Sequence, residues 1–407
     1  MKRFRVAFAL LLLPITLQAQ VAVQGQVRER SELDDRGILD SNSVLVHLLR
    51  SRIRVTANPT DWATVVAEVQ DSRFLGSGNP ALGRGTTDVT ADGLDMLQAY
   101  GQIDRPLDLP LKLRLGRQQM GFANDRLVGV SNWSNTGRAF DGLRLMAGSD
   151  SLSVDAWAMR LSAPVAGPVA SQNFYGLWGN IKPMAGLGVD LFAMRDDNTS
   201  PILRGEDSSF SVLERYTVGS FVNLAVGPLD ILIEGAGQTG SSAASDTVVR
   251  REIHAFLASG QLAFNLLPDS KTRLIALASI LSGDGSARDD RNETFNTLFG
   301  TNHRVYGTID YLPELSGNFG VVDFSGQVSS APLKGLRLLL EGHLFQPQRG
   351  GGGEFGTEID LTAWYRPAPS FELSGGGALF MPGKLLETRL GGSDARTWVY
   401  VAGQWDF

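Results

Sequence analysis

Arg50, Arg52 and Arg54 stand at alternate positions in a stretch whose other parity holds Leu45, Leu49, Ile53 and Val55. Only an extended chain sends residues i and i+2 to one side and i+1 to the other, so this stretch is a strand with one charged and one apolar face. The pattern recurs. Ala63, Val65, Ala67 and Val69 oppose Thr64, Glu68 and Gln70. Leu111, Leu113 and Leu115 oppose Lys112, Arg114 and Gln118, and Leu336, Leu338 and Leu340 oppose Arg337, Glu341 and His343. A charge facing lipid near the bilayer midplane costs about 2–4 kcal/mol. If the apolar faces meet lipid, the charged faces must meet water, and a closed barrel is the one β structure that satisfies both. The lumen is then expected to be wet and charged.

The connections point the same way. Strands are expected at about 21–30, 43–57, 61–72, 94–104, 110–118, 140–148, 151–161, 171–182 and 186–196. They continue at about 211–226, 229–238, 251–264, 271–281, 318–329, 336–346, 356–366, 371–381 and 396–407, with no amphipathic helix between them. Short turns such as Asn58–Thr60, Gly148–Asp150 and Gly227–Pro228 alternate with longer polar stretches at 73–93, 119–139, 197–210, 239–250 and 282–317. Tight periplasmic turns at one rim and long extracellular loops at the other are the asymmetry of a transmembrane β-barrel. The expectation is an all-β antiparallel barrel of about 18 strands, wide enough to leave an aqueous channel.

The two ends of the chain suit that reading. Residues 1–19 carry Lys2, Arg3 and Arg5, then an apolar stretch from Val6 to Leu13 and a small-residue end at Ala19. This is the pattern of a signal peptide and leaves 20–407 as the barrel in the outer membrane. In the last strand Val399, Val401, Gly403, Trp405 and Phe407 share one face, and Trp398, Tyr400, Ala402, Gln404 and Asp406 the other. That strand, closing on Phe407, is expected to be read by the barrel-assembly machinery; the alternative is an ordinary edge strand of a soluble sheet.

Composition removes other classes. With no cysteine, disulfide frameworks, thiolate catalysis and zinc–sulfur sites are excluded. The net charge is −6, and near −9 without the first nineteen residues, which argues against nucleic-acid partners. No apolar run beyond residue 20 is long enough for a membrane helix.

Leu113–Gly121, Asp125–Gly129 and Trp133–Arg144 resemble the alginate-export family of outer-membrane barrels, as do Ser282-Gly283-Asp284, Thr294–His303 and Tyr306–Asp310. The resemblance implies an eighteen-stranded passive pore through which an anionic polysaccharide diffuses past an arginine-lined constriction.

The pore-lining candidates are Arg50, Arg52, Arg54, Lys112, Arg114 and Arg144 on strands, with Arg117, Arg126 and Arg138 in or beside the stretch 119–139. Rings of Arg or Lys select anions, and guanidinium pairs well with carboxylates. The alternative is that these residues brace the wall against Glu68, Asp155 and similar groups, or form a salt-bridge network at the rim with Asp125 and Asp141. Loop 119–139 could fold inward, and loop 282–317, with Phe295, Leu298 and Phe299, could plug the pore or cap its rim. Asp284, Asp289, Asp290 and Glu293 could attract calcium, but a solvated acidic loop is the default. Gly235–Gly240 spells GxGxxG without the helix a dinucleotide site needs, and reads as a barrel loop. Four histidines, with no HExxH or GxSxG motif, give catalysis no footing and no cofactor is expected. The rival functions are a general small-solute porin, a barrel enzyme working through His254 or His343, and a surface-binding protein.

Overall fold

The structure, a computed structural model, describes residues 20–37, 43–75, 93–161, 172–204, 209–243, 251–286, 289–350 and 352–407. The expected signal peptide, residues 76–92 of the expected loop 73–93 and residues 244–250 of the expected loop 239–250 lie outside these residues. Among the described residues the chain forms β1 Gln20–Asp34, β2 Val44–Thr60, β3 Ala63–Leu75, β4 Gly93–Asp104, β5 Leu111–Gln118, β6 Phe140–Gly148, β7 Leu152–Leu161, β8 Gln172–Met184 and β9 Leu187–Arg204. There follow β10 Ser209–Val226, β11 Leu229–Ala243, β12 Arg251–Leu267, β13 Thr272–Leu281, β14 Val321–Leu333, β15 Leu336–Gln346, β16 Gly356–Ala368, β17 Phe371–Pro382 and β18 Arg396–Asp406. A two-residue piece, Arg291–Asn292, pairs parallel with β12.

Each barrel strand pairs antiparallel with its sequence neighbours, and β1 closes on β18 from Gln26↔Asp406 to Asp34↔Trp398. Beyond that register Phe407 continues the seam. Its amide donates to the Gly25 carbonyl at 2.9 Å, and the Gly25 amide returns the bond at 2.7 Å. The Phe407 ring lies over Gly25, where a Cβ would come within 2.2 Å of it. No described helix is long and apolar enough to span a membrane; the crossing is made by strands.

Alternation sorts the faces as expected on β1–β5 and β18. Leu45, Ile53, Val55, Val65, Leu115, Val399 and Val401 are exposed on the outer face, while Arg50, Arg52, Glu68, Gln70, Trp398 and Tyr400 are buried inside. Along β6–β9 the lumen departs from a charged lining. Phe140, Trp157, Met159, Phe174, Trp178, Phe192 and Met194 all point inward and are buried. They are covered from within by the loops 119–139 and 282–320. Phe122 stacks on Trp157 and Trp178 with centroids 5.1 and 4.8 Å apart, and Phe299 meets Phe140 and Phe174 edge-on at 5.5 and 4.6 Å. Each such pair adds about 0.5–1.5 kcal/mol beyond its buried area, so the barrel holds a packed apolar core in its lumen, which continues through Phe345, Phe355 and Phe380.

Three local expectations are corrected. The stretch 197–210 is mostly strand, because β9 and β10 run on to Arg204 and from Ser209. Gly235–Gly240 is not a loop: it lies inside β11, where Glu234, Ala236 and Gln238 point inward and are buried. A helix does occur between strands: α1, Lys384–Leu390, starts at Gly383 and ends at Gly391 in the left-handed region, with Leu386 buried beneath it.

Candidate functional site: a lumen crossed by two loops

The first two strands hold loop 119–139 by its carbonyl groups. Arg50 Nη1 donates to the carbonyls of Asn132 and Ser134, both at 3.0 Å, and Arg28 Nη1 to Asn132 at 3.0 Å. Arg28 Nη2 reaches the Trp133 carbonyl at 3.1 Å, and Arg30 Nη1 reaches the same oxygen at 2.7 Å. Arg52 binds Asn132 Oδ1 at 2.9 Å and the Thr136 carbonyl at 3.3 Å. The loop answers through Asn135, whose Nδ2 donates to the Leu49 carbonyl at 3.2 Å and whose carbonyl accepts from Ser72 Oγ at 2.8 Å. Four buried guanidinium groups thus meet the negative ends of peptide dipoles, which a water-free site requires.

On the far side a buried ion pair pins the same loop to the wall. Arg126 Nε lies 2.9 Å from Glu234 Oε2, with side chains 2% and 3% exposed. Arg126 also donates to Tyr306 Oη at 2.8 Å and Ser259 Oγ at 3.3 Å. Burial pushes the Tyr306 phenol up to about 12, with Arg126 opposing the shift, so it stays neutral and accepts from the guanidinium.

The two loops join directly. The Gly129 amide donates to the Phe299 carbonyl at 2.9 Å, the Phe299 amide to Leu127 at 3.0 Å and the Thr301 amide to Asp125 at 2.8 Å. Arg138 ties in further, donating to the carbonyls of Phe299 and Gly300. The loops approach so closely at Gly300 that a Cβ there would lie 1.9 Å from the Arg126 carbonyl oxygen. Loop 282–320 is anchored in turn to β16. Glu358 Oε1 accepts from the amides of Thr308 and Ile309 at 2.6 and 2.8 Å, and Asp360 Oδ1 accepts from Thr308 Oγ1 at 2.7 Å.

The remaining sequence candidates are dispersed. Arg54 pairs with Glu68 at 2.6 Å, Arg144 with Asp155 at 2.6 Å, and Arg114 donates to Gln102 Oε1 at 2.8 Å. Lys112 is more than half exposed, 4.0 Å from Asp104. Arg117 shares the outer parity of Leu111, Leu113 and Leu115 and pairs there with Asp141 at 2.8 Å. Of the acidic loop residues, Asp284 is held by Arg251 and Glu293 by Arg349, each at 2.6 Å.

Sequence reasoning passed over Arg28 and Arg30, although they have the inward parity and Arg28 sits directly opposite Arg50 in the register. It also passed over Arg304, which with Arg337 flanks the inward Trp364 ring at 4.8 and 4.1 Å. Arg28, Arg30, Arg304 and Trp364 line one lumenal cavity of about 420 Å³.

An apolar outer belt around a closed eighteen-strand barrel, with two loops folded into its lumen, defines an outer-membrane β-barrel of the channel-forming kind. The alginate-export family matches over residues 18–349, and the chain belongs to it. Solved structures share the fold at low identity. Pseudomonas aeruginosa OccK3 (OpdO) is 13% identical with a TM-score of 0.63, covering 95% of each chain. Acinetobacter baumannii OccAB3 is 11% identical with a TM-score of 0.62, over 95% of this chain and 99% of that one. The P. aeruginosa outer membrane protein opdK is 10% identical with a TM-score of 0.59, over 95% and 98%. No curated protein matches the sequence.

Proposed function

We propose that the protein is a passive outer-membrane channel for an anionic oligo- or polysaccharide. The observation that carries this reading is the cavity into which exposed Arg304 opens beside the Trp364 and Trp133 rings, with buried Arg28 and Arg30 in its wall. Guanidinium groups take carboxylates in a planar, two-pronged geometry, and an aromatic face suits the apolar side of a sugar ring. Membership in the alginate-export family supports the same class of solute. Movement needs no energy source: solute diffuses through a wet path whose field the inward cations set. Release of the folded chain into the membrane is assigned to the barrel-assembly machinery, acting on the strand that ends at Phe407.

A general small-solute porin is the second reading. It draws support from the strands that also carry Arg337 and Trp364 and from the adjacent β14, where Asp323, Glu341, Glu358 and Asp360 are all buried and inward, a lining poorly suited to a polyanion. Liposome swelling with uronate oligomers against neutral sugars of equal size separates the two. Faster entry of the uronates is expected, and equal rates would favour the porin. Exchanging Arg304 and Arg337 for glutamine should abolish any uronate advantage.

A further inference from the structure

Two of the chambers beside the inward loops touch at one place. The outer, about 320 Å³, is lined by Ser131, Thr136, Arg138 and Glu314, together with Trp133, Thr301 and His303. The inner, about 420 Å³, holds Arg28, Arg30, Arg304 and Trp364, and is bounded by the same Trp133, Thr301 and His303. Those shared residues are a partition with a face in each chamber.

Its main component is a ring pair. The indole of Trp133 and the imidazole of His303 stack with centroids 4.2 Å apart and planes 7° from parallel. They come from different loops. Trp133 is backed by the barrel wall, with Arg30 4.0 Å from its ring and Tyr400 edge-on at 4.9 Å. His303 is held by its own loop, with Nδ1 2.8 Å from Asp310 Oδ2, and also meets Trp398 of the wall edge-on at 5.9 Å. The firm loop-to-loop bonds lie earlier, at 125–129 with 299–301. The stack is therefore a separate contact between the loops, beyond their anchors at Arg126 and Glu358.

We propose that the Trp133–His303 stack is the shutter between the two chambers and the constriction that limits permeation. This rests on the channel reading and names the place in the path where resistance concentrates. The solute passes from the Arg138 side to the Arg28, Arg30 and Arg304 side.

The test is single-channel conductance in planar bilayers of wild type, His303→Ala, Trp133→Ala and Trp133→Tyr. Removing either ring should raise conductance about twofold or more, because the narrowest point dominates the resistance of an otherwise wet pore. Trp133→Tyr, which keeps a stacking ring, should stay near wild type. Unchanged conductance in both alanine variants would overturn the shutter while leaving a conducting wild type as evidence for the channel. An increase in Trp133→Tyr as large as in Trp133→Ala would also overturn it, since loop packing rather than ring stacking would then be responsible. Absence of conductance in all four proteins would remove both proposals. Retention of the folded band on unboiled gels checks the barrel in each case.

Discussion

Replacing Arg126 with methionine removes one half of the ion pair that holds both loops to β11. Glu234 would keep Asn124 Nδ2 at 3.1 Å as a donor but lose its only buried cation among the described residues, with 3% of its side chain exposed. Breaking one side of such a pair costs about 3–5 kcal/mol, whereas replacing both sides with apolar groups of similar volume is often neutral. The barrel's strand pairing is untouched, so the cost should fall on local opening of the loops. At about 1.36 kcal/mol per tenfold, opening should become roughly 10²- to 10⁴-fold more frequent. Hydrogen exchange in detergent micelles reads this at the amides of Gly129, Phe299 and Thr301, whose bonds join the loops. Those amides should lose protection in Arg126→Met and regain most of it in Arg126→Met with Glu234→Met. Unaltered exchange in the single variant, or a double variant no better than the single, would refute the argument that this pair carries the loops.

Gly300→Val should separate the loops, since its Cβ would sit 1.9 Å from the Arg126 carbonyl oxygen; higher conductance with a normal unboiled gel shift is expected. Arg50→Glu with Arg52→Glu sets carboxylates against the carbonyls of Asn132, Ser134 and Thr136, and should expel the loop, widen the pore and weaken anion preference, as read by reversal potential. Arg117→Gln, on the outer face, should leave that potential unchanged. Because the Tyr306 phenol is raised to about 12 from an unfolded value near 10, its contribution to the closed loops is full below about pH 10. It is lost between about pH 10 and 12, and phenolate absorbance should rise together with loop exchange over that window.

The strands were legible because lipid enforces alternation wherever a strand crosses it: β6, β13 and β15 fall within a residue of their expected bounds. The lumen was legible only where its contents are water. Trp157, Phe174 and Trp178 are buried because loop residues cover them, and nothing in β7–β9 announces a partner that arrives from residues 122 and 299. Arg126 and Glu234 are likewise joined across more than a hundred positions, with no periodicity to link them. Arg28 and Arg30 were within reach, being on the charged parity beside Arg50. So was α1, where Leu386 and Leu390 repeat at helical spacing between two glycines.

The contents of the barrel also bear on how it is shut. Trp133 is gripped by Arg30 from the first strand and by Trp398 and Tyr400 from the last, so the two strands that meet at the seam converge on one side chain of an internal loop. A slip of one residue at the seam would turn a strand's side chains over. For β1 it would send Arg28 and Arg30 into lipid, and for β18 it would pull both aromatic rings from Trp133. The loop is in this sense a gauge carried inside the barrel: only the correct join fits around it.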